Sequence, residues 1–138
     1  MNRIYDDLGV RRVINAAGTL TRLGGALMDH EVTAAMAAAA GSHVPMDRLH
    51  AAVGRRIATL TGAEAALVTC GAAAGLTLAA AACLCGHDRA KMDRLPDTAG
   101  MPNEIVIARS HRNGYDHALR AAGARLVEVG LAERTRDP

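Results

Sequence analysis

Apolar residues recur along the chain in two rhythms, one helical and one of short continuous runs. Val32, Ala35, Met36, Ala39 and Ala40 fall on one helical face, which predicts a helix over 29–40 with Asp29 as N-cap and Gly41 at C′. Leu49, Val53, Ile57 and Leu60 share a second helical face, predicting a helix over 46–61 that Gly62 ends. Ala65–Thr69 is a short apolar run of strand type, and Cys70-Gly71 makes a turn. Ala72–Cys85 is a run of helix formers closed by Gly86. Two more strands, over 104–108 and 125–129, flank a helix over 114–122 that Asn113 can cap and Gly123 closes.

Strands alternating with helices predict βαβ units and a parallel sheet, so the fold class is α/β. Residues 1–28 read as an arm: a short turn near Tyr5–Leu8, then sparse apolar residues and frequent glycines. Residues 29–62 form a helical segment, and 63–138 carry the βα pattern. The connection over 86–103 is long for such a unit and holds Pro96, Gly100 and Pro102, as functional or partner-contacting connections often do.

Composition narrows the picture. The chain has 138 residues, no Trp or Phe and two tyrosines, Tyr5 and Tyr115. A core of Ala, Val, Leu, Ile and Met lets elements approach closely but buries little area per side chain. That predicts a piece of something larger. Sixteen basic and fourteen acidic residues give a net charge of +2 and are interspersed, with no basic stripe or aromatic platform for nucleic acid. Lys91 is the single lysine. Cys70, Cys83 and Cys85 lack zinc spacing and read as reduced thiols, and no metal site is expected. The N-terminus lacks the apolar run of a signal peptide, and 71–86 is too short to span a bilayer, so a cytoplasmic protein is expected.

Three segments are candidates for chemistry. At Val68–Gly75 a predicted strand meets a predicted helix through Gly71 and small alanines. Unpaired N–H groups and the helix dipole there suit a phosphate, although an ordinary tight turn packed with small residues has the same composition. Neither Gly-x-Gly-x-x-Gly nor a Walker motif is present, which disfavours a nucleotide. Ser110–His117 follows the next strand, at the edge where open α/β sheets bind ligands. His111 could stack on a flat ligand and Arg112 could meet an anion, or the segment is a solvated polar loop. In the arm, Asn15, Gly18, Thr19 and Thr21 could reach a neighbouring pocket, or form a structural turn. His30, His43, His50 and His87 do not cluster at ligand spacing.

Three stretches taken together carry a resemblance: VINAAGTLTRLGG in the arm, TGAEAALVTCGAAAGLTLAAAACLCG in the middle, and EIVIARSHRNGYDHALRAAGARLVEVG followed by ERT. In order and spacing they resemble the selenocysteine synthase-like branch of the fold-type I pyridoxal-phosphate enzymes. MDRLPDTAGMPNEIVI points to its D-glucosaminate-6-phosphate ammonia-lyase-like members rather than to the selenium transferases. The resemblance implies the N-terminal part of an aminotransferase-like large domain, preceded by an arm and two helices. It implies pyridoxal 5′-phosphate held at Cys70, Gly71, Ala72 and Ala73 by backbone N–H groups, with His111 beside the pyridine ring. Cys70 stands where a hydroxyl residue is common. Asn15, Gly18, Thr19, Thr21 and Arg112 would lie on the substrate side, the arm in its own or a neighbouring subunit. A homodimer or larger homo-oligomer is implied.

The implied activity is a lyase acting on an amino acid or amino sugar acid, by β-elimination with release of ammonia. A selenium transferase acting on seryl-tRNA is the alternative, and a non-catalytic oligomerising or binding remnant is another. In the family the Schiff-base lysine and the acidic partner of the pyridine nitrogen come later in the large domain. Lys91 lies in the 86–103 connection and is expected to be a solvated surface residue. The chain is thus expected to be an N-terminal fragment that ends before the catalytic lysine.

Overall fold

A computed structural model describes residues 4–131. The stretch Glu133-Arg134-Thr135 and the last three residues lie outside the described residues. The chain divides between Pro45 and Met46 into two compact units.

In the first unit, helix α1 (Ile4–Asp7) is a single turn. Gly9 and Val10 donate their N–H groups to Asp6 and Tyr5 and close it. A 3-10 turn, Thr21–Leu23, is bracketed by an antiparallel bridge between Leu20 and Gly25. Helix α2 (His30–Ala39) matches the first predicted helix, with Asp29 at the N-cap and Gly41 at C′ as expected, but neither makes the usual capping interaction. Asp29 stands at the N-cap with extended backbone, yet its carboxylate accepts no N–H; the Thr33 hydroxyl donates to the Asp29 and His30 carbonyls of the first turn. Gly41 is absent from the positive-φ glycines, and the helix unwinds through i→i+3 bonds from Gly41 and Ser42 instead. The Val32/Met36 stripe is exposed, and among the described residues of this unit none is buried.

The second unit opens with helix α3 (Met46–Thr61), whose bounds are those the periodicity predicts. It ends on Gly62 at φ 71, with Ala63 N–H donating to the Ala58 carbonyl in a 6→1 closure. Helix α4 (Ala72–Cys85), α5 (Arg89–Arg94), strand β1 (Glu104–Ala108), α6 (Asp116–Ala121) and strand β2 (Arg125–Val129) follow. β1 and β2 pair in parallel, Glu104 opposite Arg125 through Ala108 opposite Val129. A parallel pair needs a crossover, and α6 supplies it.

The core of this unit lies where α4 meets α6 and the strand pair. Ala80, Leu84, Cys85, Ala122 and Ala124 are buried together, with Ala81, Leu95, Ile105 and Leu119 packed around them. Small side chains let α4 and α6 approach until the Thr77 hydroxyl donates to the Ala118 carbonyl at 2.9 Å. The alanine bias is therefore a packing device.

Three expectations change. Residues 65–69 form no strand. A strand exists by its partner's hydrogen bonds, and β1 and β2 pair only with each other among the described residues. Helix α5 was not expected; Asp88 caps it by accepting from the Ala90 and Lys91 N–H groups. Finally, α6 starts at Asp116 rather than 114, because Asn113 closes an Asx turn by accepting from Tyr115 N–H before the helix begins.

The 86–103 connection has a packing task. The Thr98 hydroxyl donates to the Gly123 carbonyl and accepts from the Asn103 amide. Arg125 N–H donates to the Asn103 carbonyl, which anchors the connection at the start of β2.

Candidate functional site

Residues 64–71 lead from α3 into α4. Gly54 of α3 is buried, and the Ala66 carbonyl approaches it so closely that a Cβ there would overlap the oxygen. This contact sets the path of the segment toward Gly71. At Gly71 the backbone adopts φ 143, ψ 168, a combination that essentially belongs to glycine. The Gly71 carbonyl accepts from Gly75 N–H and from the Thr69 hydroxyl at 2.9 Å. No side chain caps the helix start, so the first-turn N–H groups of α4 keep their donors outward. Nothing lies within 4 Å of the position a Gly71 Cβ would take. Cys70, Ala72 and Ala73 are exposed beside it, and Cys70 is a free thiol. An open helix start with free donors and partial positive charge suits an anion such as a phosphate.

The second segment follows β1. A 3-10 turn, Arg109–His111, carries the chain off the sheet. His111 is exposed, and its carbonyl accepts from the Asn113 side-chain amide at 2.9 Å. Arg112 is not the free cation its sequence suggested. Its Nε donates to Asp116 and its Nη1 to Glu128, both in very close contact. Arg109 Nε donates to the other Glu128 oxygen at 3.0 Å. Asp116 is 5% exposed. The Arg112 hydrogen bond holds the Asp116 carboxyl below the usual carboxylate range, and the same bond raises Arg112. Burial opposes both shifts.

In the arm, Asn15 spends its side chain locally. Its oxygen accepts from Ala17 N–H at 3.0 Å and its amide donates to the Gly18 carbonyl, with Gly18 at φ 78. This is the structural turn, made by an Asx-type side chain. The Thr19 and Thr21 hydroxyls are exposed and make no hydrogen bond among the described residues. Asn15, Gly18 and Thr19 line a cleft of about 600 Å³ with Val13, Leu23 and Leu27.

Lys91 sits on α5 with its ammonium 3.9 Å from Asp88, its side chain 41% exposed. Among the described residues no three His, Cys, Asp or Glu side chains gather as a metal site, and no helix is long and apolar enough to cross a membrane. Sequence reasoning missed Asp116 and Glu128. The i, i+4 spacing of Arg112 and Asp116 was a readable signal; Glu128, on a separate strand, left none.

No family model matches the chain. Two curated relatives do. The D-glucosaminate-6-phosphate ammonia lyase of Salmonella typhimurium (strain 14028s / SGSC 2262) is 41% identical over 131 residues, 92% of this chain and 36% of its own length. The 5′-C-glycyluridine monooxygenase-decarboxylase of a Streptomyces species is 41% identical over 136 residues, 95% of this chain and 34% of its own. A solved D-glucosaminate-6-phosphate ammonia-lyase matches at a TM-score of 0.90 and 41% identity, over 94% of this chain and 36% of that one. The chain therefore spans about a third of the length of these relatives. The likeness supports the α/β fold, and it supports a related family rather than selenocysteine synthase specifically.

Proposed function

We propose that this chain serves a pyridoxal 5′-phosphate-dependent lyase acting on an amino acid or amino sugar acid, by β-elimination with release of ammonia. The observation that carries the reading is the likeness to an ammonia lyase across nearly the whole chain, in sequence and in fold. The second relative, of a different reaction, is equally similar over the same span. In this reading the segment serves to hold a cofactor more than to select the reaction.

The Gly71 turn fits the phosphate of such a cofactor. Its positive φ, the open space at its Cβ position and the uncapped helix start leave room and donors for an anion. In this reading the N–H groups of Cys70, Gly71, Ala72 and Ala73 hold the phosphate, and the dipole of α4 stabilises its charge. The Cys70 thiol is a weak donor and adds little. His111 lies against the flat ring. The Thr19 and Thr21 hydroxyls are the arm's groups left to meet a substrate, while Asn15 and Gly18 shape the turn that presents them. Arg112 has a framework role, since two carboxylates already engage it. When bound, pyridoxal phosphate supplies an electron sink for chemistry at the substrate's α-carbon. Lys91, paired with Asp88 on α5, takes no part. Exposed Ile14 and Leu27 on the arm support assembly into a homodimer or larger homo-oligomer.

The test compares binding of pyridoxal 5′-phosphate with binding of pyridoxal, which lacks the phosphate, by calorimetric titration of the chain. A helix start contributes about 0.3–2 kcal/mol toward an anion, so the phosphorylated form should bind roughly 2- to 30-fold more tightly. In Gly71→Ala the preference should vanish. Equal affinity of both compounds for the unaltered chain would falsify the phosphate reading.

A further inference from the structure

His111 stands on an exposed loop, and a side chain on a free loop would sample many positions. This loop is not free. Four observations tie it down. Arg112, the next residue, spans two elements with one guanidinium: Nε meets Asp116 at the start of α6, and Nη1 meets Glu128 on β2. Arg109, on the other side of His111, holds the second Glu128 oxygen at 3.0 Å. Asn113 bridges inward, donating to the His111 carbonyl and accepting from Tyr115 N–H at 2.8 Å. Arg112 N–H closes the 3-10 turn by donating to the Arg109 carbonyl. His111 is thus flanked by two arginines that grip the same carboxylate.

We propose that Arg112 is a positioning residue, which through Asp116 and Glu128 fixes the loop that presents His111 to a flat aromatic ligand. The nature of that ligand rests on the reading above; the positioning itself rests on these contacts alone. Only a guanidinium can serve here. It offers donors in a rigid planar fork, so it meets two carboxylates on different elements at once, where an ammonium is a single point charge. Asp116 makes the arrangement obligatory. Its carboxylate is nearly buried, and removing Arg112 leaves that charge without its partner. The shared oxygens of Glu128 then couple the loop to the strand pair, where Glu128 faces Ile107 in the β1–β2 register. A ligand lying on His111 meets a side chain whose backbone was ordered before it arrived, so little ordering cost is left to binding.

The experiment uses the 138-residue chain with Arg112→Gln, Arg112→Lys and Glu128→Gln. Amide hydrogen exchange is followed residue by residue, and binding is titrated with pyridoxal 5′-phosphate and with inorganic phosphate. Arg112→Gln should speed exchange over residues 110–114 by about tenfold or more while Val106 and Val127 keep their protection, as expected for a local opening. It should weaken pyridoxal phosphate severalfold and leave inorganic phosphate unchanged. Arg112→Lys, with charge but no fork, should restore only part of the protection. Glu128→Gln leaves the Arg112–Asp116 pair in place and should loosen the same residues to a smaller degree; it decides the case if Arg112→Gln unfolds. Unchanged exchange over 110–114 in Glu128→Gln and in a folded Arg112→Gln overturns the inference. So does full restoration by lysine. Local loosening with unchanged pyridoxal phosphate binding upholds the positioning role and removes His111 from the cofactor reading.

Discussion

Gly54→Ala asks whether the Ala66 carbonyl really rests on α3. In an unobstructed helix this change is favourable by about 1 kcal/mol, because alanine loses less backbone entropy than glycine. Gly54 is obstructed. A Cβ built there would overlap the Ala66 carbonyl oxygen and lie 3.5 Å from the carbonyl carbon. The obstacle is backbone, so no side-chain rotation relieves it; residues 64–66 must move or α3 must shift. Overpacking of this kind costs about 1–3 kcal/mol, which outweighs the propensity gain and leaves a net loss of roughly 0–2 kcal/mol. For a unit of this size each kcal/mol corresponds to a shift on the order of 5 °C, so Tm should fall by several degrees in far-UV circular dichroism. Gly75→Ala is the matched control. Its Cβ would meet only the Thr69 hydroxyl at 3.5 Å, an ordinary contact, so the propensity gain should prevail and Tm should rise. A rise in Gly54→Ala matching that of Gly75→Ala would refute the reasoning, because it would mean the 64–66 segment yields at no cost.

Gly123→Ala should be strongly destabilising: φ is 93 there, and a Cβ would run into the Pro96 carbonyl and the Thr98 methyl. Left-handed strain of about 1–2 kcal/mol adds to the overlap, and chemical denaturation should show a lower midpoint at unchanged slope. Cys70→Ser restores a hydroxyl donor at the phosphate turn and should tighten pyridoxal phosphate binding by about three- to tenfold, read by the same titration, while pyridoxal binding stays unchanged. The Asp116 carboxyl is held below its ordinary range by Arg112, so its contribution to stability is fully present above the unfolded carboxylate value of about 3.9 and is lost as pH falls through the folded value. Tm measured on acidification should therefore drop in this window, and Asp116→Asn should flatten that limb; an identical acid profile in the variant would count against the pairing.

The elements legible in the sequence share one property: their evidence is local. α3 and α4 have the bounds their residues predict, because helical spacing and helix-forming composition act within one segment. β1 and β2 are also where they were expected, since each is a compact β-branched run that pairs with the other. Residues 65–69 have a similar run and fail. Their strand character depended on a partner, and the segment instead lays its Ala66 carbonyl against Gly54 of α3. Helix α5 escaped notice for the opposite reason. Six residues give less than two turns of periodicity, and the surrounding Pro and Gly signalled a loop, although Asp88 before Arg89-Ala90-Lys91-Met92 was an available N-cap.

The same distinction governs the candidate site. The glycine turn at Gly71 was readable, because positive φ at a helix start is a property of one residue and its neighbours. The meaning of Arg112 was not. An arginine in a polar loop after a strand fits a ligand-binding cation and a solvated charge equally well, and sequence separates them only when the partner is near. Asp116, four residues on, was near enough to suspect. Glu128 was not, since it comes from the far side of the crossover and reaches Arg112 only once α6 has returned the chain to the sheet. Once both carboxylates are in place, the guanidinium has spent two of its donor directions on the framework. A free anion would compete there with two carboxylates already in place, one of them nearly buried. On the reading proposed above, the anion therefore goes to the backbone at Gly71, where no side chain caps the helix start.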